Sequence, residues 1–409
     1  MKFVHAADLH IDSPLKGLSA YDGAPVERVR GATRRALSNL VQLCLDERAA
    51  FLLLAGDVFD GEWKDFNTGL FFLRELNRLR DSGTRVYLVR GNHDAASEVT
   101  RSLSWPDHVH VFADDRAQTL VLDQYGVALH GLSFARRAMP DSLVPLYPAP
   151  IAGALNVGVL HTSADGRPGH ASYAPCRVEE LVHKGYDYWA LGHVHAHEVL
   201  HRSPWVVFPG NTQGRHIHET GAKGAVVVTV DGGAVTEVRH AALDVVRWRS
   251  FALTLWERDG VDELYDQARQ LFGRARDEAD GRMVAARLVV DGATRAHAEV
   301  ASARERVVAE LRACALDFAD ELWLEKVELR TRPAVALDEL RASEGFVGEL
   351  LRAVAGAQQD PALAAELRAQ LQPLMEKLGE ELGQGGGELD LGALLSEVEA
   401  QLVSALVAS

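Results

Sequence analysis

Five times between Asp8 and His195 a short apolar run ends in a cluster of Asp, His or Asn side chains. The clusters are Asp8-Leu9-His10, Gly56-Asp57-Val58-Phe59-Asp60, Gly91-Asn92-His93-Asp94, His161 after Val157-Gly158-Val159-Leu160, and Gly192-His193-Val194-His195. Short apolar runs bounded by polar residues read as buried strands. In sheet-based α/β proteins the C-terminal ends of such strands open onto the ligand crevice. A chain of this kind must therefore bring several strand ends to one edge, which points to an α/β (α+β) fold. Any one of these polar residues alone would be read as a cap or a buried hydrogen-bonding group. That reading fails for Asp8, His10, Asp57, Asn92, His161, His193 and His195 together, because seven such residues rarely fall by chance at five strand ends.

The periodicity up to residue 245 supports this. Lys2 to Ala6, Phe51 to Ala55 and Arg85 to Val89 read as strands. Val26 to Glu47 and Phe66 to Arg80 read as amphipathic helices between them. Further strands are expected at 121–122, 127–129, 157–160, 188–191, 206–208, 225–230 and 234–239, so early βα units give way to many strands and few helices. Two packed sheets with helices outside would satisfy that order. Residues 246–332 read as a separate small α+β unit: strand 248–255, helix 261–275, strand 283–290, helix 298–314 and strand 322–329. Pro333 marks a boundary. Residues 333–409 form an acidic, Ala/Leu-rich helical segment broken by the glycine run at 383–387.

The donor set defines the chemistry. Carboxylate, imidazole and amide oxygen together suit Mn²⁺, Fe²⁺ or Zn²⁺ better than a soft thiolate metal, and no cysteine takes part. Two divalent ions about 3.5–4 Å apart need a bridging ligand, a role a carboxylate fills well. Asp57 is expected to be that bridge, since it follows a central apolar strand and glycine precedes it.

The ordered set D-x-H, G-D-x-x-D, G-N-H-D, H and G-H-x-H resembles the calcineurin-like metallophosphoesterase superfamily over about the first 240 residues. The resemblance implies a four-layer αββα sandwich. It also implies one metal held by Asp8, His10, Asp57 and His195, and a second held by Asp57, Asn92, His161 and His193, with water activated between them to attack phosphorus. His93 would act on the phosphate or the leaving oxygen, with Asp60 as its partner; an imidazolium can supply the proton an alkoxide needs. The opening His5-Ala6-Ala7-Asp8-Leu9-His10 and Leu53-Leu54-Ala55-Gly56-Asp57 resemble SbcD-type DNA repair exonucleases. Pro209-Gly210-Asn211-Thr212-Gln213-Gly214-Arg215-His216-Ile217-His218-Glu219-Thr220-Gly221 looks closest to their YhaO-like branch. That resemblance implies a DNA exonuclease using two metal ions (Mn²⁺ expected), residues 246–332 as a capping domain, and C-terminal helices that dock on an SMC-like coiled-coil ATPase. A homodimer through helices of the nuclease domain is a further expectation by resemblance.

Arg215, His216 and His218 are candidates to line the phosphate path, whereas His197 and His201 read as surface residues. The Arg28, Arg30, Arg34 and Arg35 cluster reads as a solvated helix face, and Arg136-Arg137 as a loop better placed for a phosphate backbone. The apolar stripe Leu391, Leu394, Leu395, Val398, Leu402 and Leu406 has helical spacing and suits either internal packing or a partner. A net charge of −15 argues against a general nucleic-acid coat. It keeps open a phosphodiesterase or phosphatase acting on small molecules, and an interaction subunit of an ATPase complex is a third reading. No Walker A loop is present, so ATP hydrolysis by this chain itself is not expected. Cys44, Cys176 and Cys314 lie far apart, no export signal is legible, and no run approaches the roughly 20 apolar residues of a membrane span. A cytoplasmic location, with no membrane contact and no disulfide framework, is the expectation.

Overall fold

The computed structural model of the protein describes residues 1–13, 25–60, 66–96, 103–166, 173–334 and 341–382, with isolated positions 392, 394 and 398 beyond them. The glycine run at 383–387 and most of the apolar stripe expected at 391–406 lie outside the described residues. Packing divides the chain into two units. One comprises Met1–Arg249 with Ala279–Ala285, the other Ser250–Glu278 with Ala286–Ser409.

In the first unit β1 (Lys2–Ala6), β2 (Phe51–Ala55), β3 (Arg85–Val89) and β4 (Val109–Val111) lie side by side and parallel. β5 (Gln118–Leu122), β6 (Val127–Gly131), β7 (Leu155–His161), β8 (Tyr188–Gly192), β9 (Glu198–Arg202) and β10 (Trp205–Phe208) build a second sheet in the order β5-β6-β7-β8-β10-β9. In it β6, β7, β8 and β10 are parallel. β11 (Gly224–Asp231) and β12 (Ala234–Ala242) then return antiparallel beside β1, giving the first sheet the order β12-β11-β1-β2-β3-β4.

The apolar runs are continuous because both strand faces are buried. On β2, Phe51, Leu53 and Ala55 join Val127, Leu129, Val157 and Tyr188 of the second sheet in one core. Leu52 and Leu54 point the other way, into a core with Leu37, Leu40, Val41 and Cys44 of helix Ala32–Asp46 and Phe72 and Leu76 of helix Phe66–Asn77. The far face of the second sheet presents Trp189, Leu191, Val206 and Phe208 to Leu181 of helix Val178–His183 and to Leu143 and Tyr147. The layers therefore run helix, sheet, sheet, helix, as the sequence leads one to expect.

That third core rests on Gly158, which stands opposite Trp189 across β7 and β8. A Cβ there would run into the fully buried indole, whose Nε1–H donates to the Leu181 carbonyl at 3.0 Å. Gly158→Ala should destabilise the protein by about 1–3 kcal/mol, the usual cost of overpacking. A shifted midpoint in chemical denaturation would show it. An unchanged midpoint would mean that the ring yields.

Two strands were not legible in the sequence, β4 and β9. Both are sheet edges, where a strand buries less and carries a weaker apolar pattern; β9 reads Glu-Val-Leu-His-Arg. The helix expected over 26–47 is two, Val26–Arg30 and Ala32–Asp46, meeting at Gly31. Glycine is the poorest helix former after proline, so the break falls where the chain is weakest.

β13 (Val246–Thr254), β14 (Met283–Thr294) and β15 (Leu322–Pro333) form a three-stranded sheet in that order. Helix Val261–Asp277 lies between the first two in sequence, and helices His297–Ser302 and Arg304–Leu316 between the last two. The helix expected over 298–314 is thus two pieces meeting at Ala303. Arg287 grips buried Glu325 with two parallel bonds of 2.8 and 3.0 Å across β14 and β15. Helices Phe346–Gln359 and Pro361–Leu382 follow. Among the described residues, no helix is long and apolar enough to cross a membrane.

Candidate metal centre

All five clusters found in the sequence lie at the C-terminal ends of parallel strands. Asp8 and His10 follow β1, Asp57 and Asp60 follow β2, Asn92 and His93 follow β3, His161 ends β7, and His193 and His195 follow β8. Both sheets thus contribute to one edge of the sandwich, and the side chains meet there in three groups. Asp8, His10 and His195 form one, Asp57, His161 and His193 another, and His10, Asp60 and His93 a third, with donor atoms inside each group within 4.8 Å of one another.

The turns that deliver them are unusual. Asp8 (φ 53°), His10 (φ 43°), Asp57 (φ 53°) and His193 (φ 107°) all adopt left-handed backbone, which costs a non-glycine residue of order 1–3 kcal/mol unless the surroundings enforce it. Here the enforcement is hydrogen bonding between adjacent turns. Asp8 N–H donates to the Gly56 carbonyl, His10 N–H to Asp57 and Ile11 N–H to Val58, at 3.0–3.1 Å. The Asp8 carboxylate accepts the His193 N–H at 2.9 Å. Fully buried Asp94 accepts N–H groups from Val58, Phe59 and Gly91, so it ties the β2 turn to the β3 turn. Gly56 (φ 95°) precedes Asp57 because a Cβ at that position would sit 2.5 Å from His161 Nδ1.

Three of the histidines have their tautomer set by what Nδ1 touches. His161 Nδ1 lies 2.9 Å from the Ala55 carbonyl, an acceptor, so this nitrogen carries the hydrogen. His10 Nδ1 donates to Asp60 at 2.7 Å and His195 Nδ1 to Glu219 at 2.7 Å. In the neutral rings Nε2 is then the lone-pair atom, and these atoms converge. His10 Nε2 and His195 Nε2 are 3.2 Å apart, and His161 Nε2 is 3.0 Å from Asn92 Oδ1 and 3.4 Å from Asp57 Oδ2. Acceptors at such distances repel unless a cation, a proton or a metal ion, lies between them. Metal-ligating histidines are held in this way, with the second ring nitrogen donating to a carbonyl or carboxylate. The donor set therefore fits divalent cations.

The electrostatics agree. Burial opposes protonation of His161, but Asp57 and Asp8 outweigh it and raise the imidazole to about 9. Burial likewise opposes ionisation of Asp57, yet His161, His10 and His93 hold its carboxyl well below the usual carboxylate range. Asp8 is pushed up to about 6, chiefly by burial, with the neighbouring Asp57 charge adding to the rise and His195 and His161 offsetting only part of it.

Asp60 lies nearer His10 (2.7 Å) than His93 Nδ1 (3.5 Å), so its carboxylate serves both rings. His93, one-third exposed, faces the His10 ring edge-on at 5.1 Å. Arg215 reaches the same edge, with Nη1 3.9 Å from Asp60 Oδ1 and Nη2 3.3 Å from His195 Nδ1. His216 and His218 are exposed, their rings 5.7 Å apart. His197 and His201 turn to local carbonyls, those of Phe208 and Pro204. Arg136 and Arg137 are exposed. Arg34 departs from the solvated face expected of its cluster: it binds Asp12 through two nitrogens, and Thr68 Oγ1 donates to the same carboxylate. Reasoning from sequence missed Asp94 and Glu219 as parts of the site, although the first closes the Gly91–Asp94 motif and the second lies within the Pro209–Gly221 stretch.

Comparison with known proteins identifies the family. The calcineurin-like phosphoesterase family matches residues 1–197, and the middle domain of metallophosphoesterase YhaO matches residues 248–332. The uncharacterized metallophosphoesterase YhaO of Bacillus subtilis (strain 168) is 34% identical over 296 residues, covering 71% of this chain and 72% of its own. The DNA double-strand break repair protein Mre11 of Methanopyrus kandleri is 25% identical over 288 residues, 63% of this chain and 60% of that protein. Mre11 of Sulfurisphaera tokodaii is 22% identical over 258 residues, 57% and 61% respectively. The chain belongs to the calcineurin-like metallophosphoesterases, of the YhaO type, and is a metal-dependent phosphoesterase.

Proposed function

We propose that the protein is a DNA exonuclease that hydrolyses phosphodiesters with two divalent cations, Mn²⁺ among the ions this donor set suits. In this reading Asp8, His10, Asp57 and His195 hold one cation, and Asp57, Asn92, His161 and His193 the other. Bound there, the cations would supply Lewis acidity toward a phosphoryl group and activation of water. The chain's own residues do the rest. Asp60 and Glu219 fix the rings of His10 and His195, Arg215 offers a cation beside the centre, and His93 stands ready to give a proton to the leaving oxygen. The observation that carries the reading is the pair of groups Asp8, His10, His195 and Asp57, His161, His193 at one strand edge. Two of the relatives are named as DNA double-strand break repair proteins, which favours DNA as substrate. By resemblance, residues 333–409 would dock on a coiled-coil ATPase; intact ATPase binding by a chain truncated before Ala334 would refute that.

The purified chain should degrade end-labelled linear DNA in the presence of Mn²⁺ and lose the activity with chelator. Cleavage of small phosphodiesters with no DNA degradation would instead favour a small-molecule phosphodiesterase. The cations should also stabilise the fold, since a ligand at 100 times its Kd adds about 2.7 kcal/mol per site. A Tm that does not move on adding Mn²⁺ would count against the metal assignment.

A further inference from the structure

Glu219 is buried beside the centre, and its carboxylate takes hydrogen bonds from three residues. His195 Nδ1 lies 2.7 Å from Oε1 and Arg215 Nη2 2.9 Å from the same oxygen. The Arg215 backbone N–H, at 2.7 Å, and Asn211 Nδ2, at 3.1 Å, donate to Oε2. His216 Nε2 stands 3.7 Å from Oε1. A buried carboxylate is costly unless its acceptor capacity is used, and here both oxygens are engaged. Two of its partners face the centre, a histidine with Nε2 among the candidate metal donors and an arginine whose guanidinium also approaches Asp60.

We propose that Glu219 is a positioning residue that fixes the His195 imidazole and the Arg215 guanidinium against each other, so that one carboxylate sets the geometry of metal capture and of phosphate contact together. The inference rests on the metal-site reading above. On the histidine side, Glu219 holds the proton on Nδ1 and stops the ring from turning, which presents Nε2 to the cation. On the arginine side, it compensates a guanidinium whose side chain is only 14% exposed and gives it one orientation. The simpler alternative is that Glu219 merely closes the local turn, in which its N–H donates to the His216 carbonyl at 2.9 Å.

Mn²⁺ titration of the full chain, followed by calorimetry and by the spin resonance signal of unbound Mn²⁺, separates the two. Wild type should bind two equivalents. Glu219→Ala should weaken one equivalent by about 10–100-fold, the usual effect of removing a group that orients a ligand, and leave the other unchanged. Glu219→Gln keeps a carbonyl oxygen for His195 Nδ1–H but loses the charge opposite Arg215. It should recover most of the Mn²⁺ affinity while KM for a phosphodiester stays raised. Equal weakening of both equivalents, wild-type affinity in Glu219→Ala, or no recovery in Glu219→Gln would each overturn the proposal. Failure of wild type itself to bind Mn²⁺ would refute the metal-site reading on which it rests.

Discussion

Asp57→Asn is expected to abolish Mn²⁺-dependent phosphodiester hydrolysis, with a loss well beyond the roughly 10–100-fold that follows when only a ligand's orienting partner is removed. The substitution is nearly isosteric, and asparagine tolerates the left-handed backbone that position 57 adopts (φ 53°) better than alanine does. It also keeps an Oδ1 to accept the His93 N–H, now at 2.9 Å. What it removes is the negative charge that His161, His10 and His93 surround. In the proposed two-cation arrangement Asp57 is shared by both ions, so the number of Mn²⁺ equivalents bound should fall from two to at most one and the Mn²⁺-induced rise in Tm should shrink with it. Asp57→Ala adds backbone strain to the same chemical loss and should be less stable as well as inactive. An Asp57→Asn protein that retains both Mn²⁺ equivalents and its activity would remove Asp57 from the bridging position.

The five clusters were legible because their chemistry requires particular side chains at strand ends, and the buried strands before them are apolar on both faces. Phe51 to Ala55 is the clearest case: five apolar residues, then Gly56 and Asp57. What the sequence could not show was pairing over distance. Asp94 holds the backbone of Val58 and Phe59 more than 30 positions away, and nothing in the string Asn92-His93-Asp94 distinguishes a ligand from a carboxylate that braces the neighbouring turn. Glu219 and His195 are 24 positions apart and meet because β10 runs parallel beside β8, so the turn after β10 emerges at the same edge as the end of β8. Arg34 looked like one of four solvated arginines, since helical spacing reveals which face a residue occupies but not that Asp12 waits beside it. The edge strands β4 and β9 escaped for a related reason, a half-exposed strand needing no apolar run to form. The motifs therefore identify the centre, and the contacts that hold its geometry become visible only in three dimensions.

His93→Ala should lower kcat on DNA by about 10²–10⁴-fold, the range for loss of a general acid, while Mn²⁺ binding stays at two equivalents. The two effects separate because His93 contributes differently through backbone and side chain. Its N–H donates to Asp57 Oδ1, a bond that alanine preserves. Its imidazole belongs to neither of the two groups that carry the metal assignment; it sits beside Asp60 and the edge of the His10 ring, one-third exposed at the mouth of the centre. In the proposed mechanism a ring placed there protonates the oxygen that leaves phosphorus. The decisive comparison is between leaving groups. An alkoxide expelled from DNA needs a proton as its bond to phosphorus breaks, whereas nitrophenolate departs without one. His93→Ala should therefore slow a nitrophenyl phosphodiester far less than it slows DNA. Equal losses on both substrates would show that the ring stabilises the phosphoryl group instead of protonating the leaving oxygen, and unchanged kcat on DNA would remove His93 from the chemistry.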